Sequence, residues 1–278
     1  MKCVLHSESN RGLGWRPDLP DFRDHRYSAS AHGQVELSQP LPVRHEAPRF
    51  RKLEIKNQRN IGSCTGQAWS REAARERKLT PQSALAIYYE ERRINGETEI
   101  DAGAYIRDGA KVVTSYGVPT EKLWPDVDDN VFRDPSAKAD KDASRKVFGE
   151  YLRVGPSQQE MCAVIASGHG FVMGISCYDS MFTSITDRTG IISYPQPGES
   201  LQGGHALQYG GYDLKFRESE AAQRFRAMGF PDSVIPEQVL IFANSWDVSW
   251  GDGGYGYLDM RFAVDENLAD DRWTIRVK

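Results

Sequence analysis

The spacing of apolar and polar residues changes character along the chain, and each change predicts a different kind of structure. From Ser63 to about Leu79 the run SCTGQAWSREAARERKL is dense in helix formers, with Ala68, Trp69, Ala73 and Ala74 offering a small apolar face. This predicts a helix with Cys64 in its first turn. The stretches PQSALAIYYEERR and AYIRDGAKVVTSYGV give two further helical patterns, the second ending at Gly117 before Pro119. Beyond the polar crossing DVDDNVFRDPSAKADKDASRK the period shortens. YLRVG, FVMGISCY, GIISYP, HALQYGGYD, VLIFANSW, YGYLDM and WTIRVK are short runs rich in β-branched and aromatic residues, the mark of an antiparallel sheet or barrel. The chain therefore reads as α+β, with a helical lobe over about 51–125, a β lobe over about 145–278 and a cleft between them. Residues 1–50, broken by prolines in WRPDLPDFRD and QPLPVRHEAPRF, read as an extended N-terminal arm.

Composition narrows the function classes. A chain of 278 residues with 35 basic and 39 acidic side chains has no basic stripe, which argues against a nucleic-acid partner. No run approaches the ~18 apolar residues of a membrane span, and the N-terminus lacks the apolar core of a signal peptide. The expected location is the cytoplasm, with export as an effector by another route left open. Four cysteines without a C-x-x-C pair suggest neither a disulfide scaffold nor zinc, so no metal and no cofactor is expected. Cys3, Cys162 and Cys177 read as small hydrophobes. His6, His25, His32, His45 and His169 lack companions in the sequence and read as surface or loop residues.

Three islands carry chemistry: Gln58 and Cys64 in NQRNIGSCTGQAW, His205 in GGHALQYGGYD, and Asn244 in FANSWDVSWGDGGYGYL. A thiol, an imidazole and an amide make an activated nucleophile whose base is held by a third group. A helix N-terminus and a neighbouring imidazolium favour the thiolate. The Gln58 amide, six residues before Cys64, is placed to join a backbone N–H as an oxyanion donor. Gly62 beside Ser63 lets backbone approach a substrate closely. Trp246 is expected to cover the His205–Asn244 contact.

These islands, in this order and with 141 residues between Cys64 and His205, resemble the papain-like cysteine peptidases of the C1 family, in their bacterial style. The resemblance implies the two-lobe papain-like fold and an endopeptidase that passes through a thioester acyl-enzyme. Catalytic roles fall on Cys64, His205, Asn244 and Gln58; substrate-binding roles fall on Gly62, Ser63, Gly103, Gly204 and Trp246. Gly103 would offer backbone hydrogen bonds to an extended peptide. GWRPDLPDFRD is similar to the N-terminal approach of bacterial relatives, in an arm too short for a full helical propeptide. An amidase, a deubiquitinase, a transglutaminase or an inactive binding protein on the same scaffold are the alternatives.

Departures from the family pattern carry their own expectations. Thr65 stands where an aromatic follows the cysteine, and the usual disulfide partner is missing. N-S-W-G has become N-S-W-D, so Asp247 would raise the His205 pKa if it points inward. The segment 214–238, LKFRESEAAQRFRAMGFPDSVIPEQ, reads as an insertion serving as a lid near the cleft or as the seat of a regulatory protein partner.

Overall fold

The computed structural model describes residues 11–27 and 40–276, so the expectations for Cys3, His6, His32 and much of the arm lie outside the described residues. Helix α1 (Cys64–Glu76) starts at the cysteine itself, and Ala68, Trp69 and Ala73 turn inward as their spacing requires. Helix α2 (Ala84–Asn95) is capped by the Ser83 hydroxyl, which accepts from the Ala86 N–H, and ends at Gly96 in the left-handed region. Helix α3 (Ile106–Lys111) continues into a wider π-type turn, Val112–Tyr116, that stops at Gly117 with φ +82°. These elements form the helical part.

The second part is built on one sheet ordered β4 (Glu150–Arg153), β10 (Ala269–Arg276), β5 (Phe171–Tyr178), β7 (Leu201–Asp213), β8 (Val239–Ala243), β9 (Tyr255–Asp259) and β6 (Ile191–Ile192). All neighbours are antiparallel except β6 and β9. Alternation along β5 sends Val172 toward Trp69, Ile106 and Trp273, while Phe171 and Met173 face a cluster with Met161 and Ile165 of a further helix, Gln158–Ala166. The strip GIISYP yields only two strand residues.

A buried ion network ties the two parts. Glu72 on α1 pairs with Arg75 at 2.6 Å and accepts hydrogen bonds from Gln208 Nε2 on β7 at 2.8 Å and from the Gly170 N–H at 3.2 Å. His169 belongs to this neighbourhood, with Nδ1 3.0 Å from Glu76 and Nε2 against Arg276, so it is not the companionless histidine its sequence suggests. Its partners are 93 and 107 residues away, beyond the reach of local reading.

Two further expectations change. The arm is part of the fold: β2 (Arg44–Glu46) adds to the sheet by pairing antiparallel with Gly211–Asp213, and Arg26 bridges to Arg153. The 214–238 insertion leaves β7 at Asp213 and returns to β8 at Val239, two residues paired with each other at the far end from His205. Eight residues of strand correspond to about 26 Å. Its helix Glu220–Ala227 and the side chains of Phe216, Phe225 and Ile235 pack on Ile241 and Tyr257. It is a packed elaboration of the sheet's far end, and the lid expectation is withdrawn.

Candidate active site

Strands β7 and β8 place His205 and Asn244 at one end of the sheet, where Gln208 pairs with Ala243. His205 Nε2 lies 2.9 Å from Asn244 Oδ1, and that oxygen also accepts the Ser245 N–H at 2.8 Å. An oxygen that accepts twice fixes the amide's orientation and leaves Nε2 as the donor. In the neutral ring Nδ1 then carries the lone pair, and among the described residues it has no hydrogen-bond partner. Trp246 stacks on the imidazole, with centroids 4.6 Å apart and planes at 20°, and Trp250 meets Trp246 edge-on. Burial drives the His205 pKa down to about 4, opposed by the Asn244 contact and reinforced by the Arg11 cation.

Asp247 does not point at the imidazole. Its φ of +73° lets it form the turn, its carboxylate accepts the Ser249 N–H, and its own N–H donates to the Lys56 carbonyl. The aspartate holds the left-handed position by closing a local Asx-type turn.

Cys64 is fully buried at the first turn of α1 and packs in one cluster with Ala206, the residue after His205. Burial pushes its thiol up to about 12, while the nearby backbone amides of Ala206, Gly14 and Thr65 pull the other way. Thr65, in place of an aromatic, donates its hydroxyl to the buried Glu91 at 2.6 Å. Gln58 is held by the third island: its N–H donates to the Ser245 carbonyl at 2.8 Å, and its side-chain oxygen accepts the Ser245 hydroxyl. That leaves the Gln58 NH2 for two carbonyls, Ile61 at 2.8 Å and Gly12 at 2.9 Å.

Gly12 belongs to the arm, which runs through the cleft. The Gly12 N–H donates to Arg59, Gly14 donates to Gly204, and Ala104 donates to Gly14 at 2.8 Å, so that β1 (Trp15–Arg16) lies parallel to β3 (Ala104–Tyr105). Glycines are required here: a Cβ on Gly12 would sit 2.0 Å from the Ile61 oxygen, and one on Gly14 1.9 Å from the Gly62 oxygen. The arm backbone at Gly14 therefore lies against the Cys64 thiol and covers it.

The expected binding residues line this channel, with one shift. The Gly204 carbonyl takes the arm, and Gly62 passes beside it with its N–H donated to Asp101. Ser63 precedes the helix as a buried cap residue whose side chain makes no capping hydrogen bond. Gly103, at φ +72°, gives its N–H to the Tyr88 hydroxyl; the backbone N–H that bonds the arm is that of Ala104, and Gly103 supplies clearance for the Gly14 carbonyl. Ser245, Gly12, Gly14, Trp15 and Asp271 also shape the site and were not picked out from sequence. Alternate glycines in RGLGW were the available signal. Among the described residues no group of His, Cys, Asp or Glu side chains could hold a metal ion.

Comparisons with known proteins agree with this geometry. No family model matches the chain. An uncharacterized peptidase C1-like protein of Acanthamoeba polyphaga mimivirus is 29% identical over 235 residues, which span 79% of this chain and 68% of the relative. The crystal structure of xylellain, a cysteine protease from Xylella fastidiosa, is 31% identical, superposes with a TM-score of 0.81 and covers 99% of both chains. The procathepsin B of Trypanosoma congolense shares the fold at 14% identity, with a TM-score of 0.69 over 100% of this chain and 93% of its own. With such coverage and identity to a cysteine protease, the chain belongs to the papain-like cysteine peptidases, the C1 family.

Proposed function

We propose that this cysteine endopeptidase is held closed by its own arm and works through Cys64 as nucleophile, His205 as proton carrier, Asn244 as positioning residue and Gln58 as oxyanion donor. With the arm displaced, the Cys64 proton passes to His205 Nδ1. The thiolate sulfur then adds to the peptide carbonyl carbon, and the resulting oxyanion is met by the Gln58 amide and the Cys64 N–H. Collapse breaks the C–N bond, and the imidazolium gives its proton to the departing amine. A water molecule, deprotonated by the imidazole, attacks the thioester; the carboxylic acid leaves and the thiol is restored.

The observation that carries this reading is the His205 Nε2–Asn244 Oδ1 bond under Trp246, because it dictates which ring nitrogen is basic. The Gly12 carbonyl on Gln58 adds support, since a carbonyl oxygen already accepts from the amide proposed as oxyanion donor. Peptide or protein chains are the substrates. Unpaired Cys64, Cys162 and Cys177 thiols support work in a reducing cytoplasm, and the xylellain likeness supports a bacterial-type enzyme. The 214–238 elaboration is our proposed seat for a regulatory protein contact, supported by the surface cavity of about 560 Å³ that Arg217, Val234 and Glu237 line with Tyr194 and Arg261.

A thiol-reactive peptide probe under reducing conditions tests the core of the proposal. Labelling of the wild-type chain that disappears in Cys64→Ala is expected; folded wild type that resists labelling and cleaves no peptide would overturn it. Added primary amines separate transfer from hydrolysis, because hydrolysis predicts the free acid as the main product whereas transfer predicts the amine-coupled one.

A further inference from the structure

Behind the channel that holds Gly14, a path of hydrogen bonds joins the channel's two backbone walls. One wall is Gly62, two residues ahead of Cys64; the other is Gly103 with Ala104. The gap between them admits bare backbone. The Ala104 N–H donates to the Gly14 carbonyl at 2.8 Å, a Cβ on Gly14 would lie 1.9 Å from the Gly62 oxygen, and one on Gly103 would lie 2.2 Å from the Gly14 oxygen. Such a gap works only if its width is held. Among the described residues no disulfide holds it, since Cys64, Cys162 and Cys177 are free.

The holding element grows out of α2. Tyr88 and Arg92, four residues apart, share one face of that helix, and the Arg92 guanidinium lies 4.2 Å from the centre of the Tyr88 ring. Arg92 also donates to the Thr98 and Ile100 carbonyls, at 3.1 and 2.8 Å, and so fixes the loop that delivers Asp101. The two Asp101 carboxylate oxygens accept the Gly62 N–H at 3.1 and 3.0 Å, and one of them also accepts the Tyr88 hydroxyl. That hydroxyl in turn accepts the Gly103 N–H at 3.1 Å. The path therefore runs from Gly103 through Tyr88 to Asp101, and Gly62 meets it from the opposite wall. Burial first, and the Asp101 hydrogen bond second, raise the Tyr88 pKa, which keeps the phenol a donor. The charge at the end of the path strengthens the bonds along it. Tyr88 also packs with Ile61 and Ala104, one from each wall, in a single buried cluster.

We propose that Asp101, acting through Tyr88, is a positioning residue for peptide cleavage: it sets the width of the gap between Gly62 and Gly103 in which an extended backbone is gripped. The path ends on backbone N–H groups of the walls themselves, so it acts alike on the arm and on the substrate that replaces it. This inference rests on the peptidase reading above and adds a residue outside the set of Cys64, His205, Asn244 and Gln58.

The test uses the full chain carrying Gly14→Val, which displaces the arm. It compares cleavage of an extended fluorogenic peptide, which needs both walls, with alkylation by iodoacetamide, which needs the thiol alone and is followed at Cys64 by mass spectrometry. Asp101 is exposed, so Asp101→Ala leaves the core in place. It should lower kcat/KM for the peptide about 10- to 100-fold and change Cys64 alkylation by less than about 3-fold. Asp101→Asn, whose amide oxygen still accepts, should recover most of that loss. Tyr88→Phe should resemble Asp101→Ala, and the double variant should be no worse than either, because both break one path. With Gly14 intact, Asp101→Ala should instead speed Cys64 alkylation by about 3-fold or more, since the same gap holds the arm. Thermal melting confirms that each variant is folded; should the buried Tyr88→Phe change unfold the chain, the two Asp101 variants decide. Peptide cleavage unchanged in Asp101→Ala, a loss shared equally by cleavage and alkylation, losses at Asp101 and Tyr88 that multiply, or no faster alkylation with Gly14 intact each overturn the inference and leave the peptidase reading standing. Absence of peptide cleavage by the folded Gly14→Val chain overturns both.

Discussion

The His205–Asn244 pair and the Gly12–Trp15 strip lie in the same cleft, yet they are held by different physics. The pair is framework: two buried side chains on adjacent strands, one bond of 2.9 Å between them and an indole stacked over it. The strip is held as a ligand would be, by backbone hydrogen bonds to Arg59, Gly204 and Ala104, by the Gln58 amide, and by one indole in a pocket. Each such bond is worth about 0.5–1.5 kcal/mol net, and burying the indole roughly 4 kcal/mol. Catalytic competence and catalytic access are thus separate properties of the molecule.

The largest effect that separates them is Cys64→Ala, which should lower peptide turnover by about 10⁴-fold or more and leave the arm docked. Protection of the Gly12–Trp15 amides from hydrogen exchange, unchanged in that variant, is the check; lost protection would mean the thiol itself anchors the strip. Gly14→Val should act in the opposite sense, raising probe labelling of the full chain by about 30-fold as two or more arm bonds are lost. A labelling rate no faster than wild type would show that the strip does not limit access. Asn244→Ala comes next, with an expected loss of about 10- to 100-fold in kcat/KM and a shifted acidic limb, whether or not Gly14→Val is also present.

A pH measurement sharpens the contrast further. Asp18, on the arm, accepts hydrogen bonds from Trp273 and the Arg107 N–H, and has Asp271 beside it. Burial first, and Asp271 second, raise its pKa from 3.8 to about 7, with Arg107 opposing. A carboxyl that binds its proton more tightly when docked stabilises docking most below about 4, and that contribution is gone once the pH passes about 7. The labelling rate of wild type divided by that of Gly14→Val should therefore climb between about pH 4 and 7 and level off above that, a ratio that cancels the thiol's own ionisation. A flat ratio would remove Asp18 from the hold on the arm. The smallest effect is expected at Glu91, whose pKa burial pushes well above the usual carboxylate range: Glu91→Gln should change the melting temperature by no more than a few degrees, because burial already disfavours the charge that the amide removes.

Much of the framework was legible because its signals are local. The helix starting at Cys64, the stop at Gly117 and the strands around His205 and Asn244 all follow from period and from turn residues. The strip was not, because what demands glycine at 12 and 14 is the proximity of Ile61 and Gly62, a contact the fold creates. Asp271 hid for the same reason: ADDRWTIR reads as an ordinary strand, and only the slipped register reveals which of its two aspartates faces inward. Asp247 misled in the other direction, since a carboxylate beside Trp246 suggests electrostatics while its backbone angle shows a turn.

The tether between Glu72 and Gln208 gives the arm its significance. Gln208 on β7 donates to the buried Glu72 on α1, which joins the two walls of the cleft directly, whereas the strip lies between them as a separate segment. A strip joined covalently to the site it covers acts at a local concentration in the millimolar range, independent of how dilute the enzyme is. Dilution cannot release it, and a micromolar peptide competes at a disadvantage of about a thousandfold in concentration. A multivalent substrate that grips the surface outside the cleft changes that arithmetic at once.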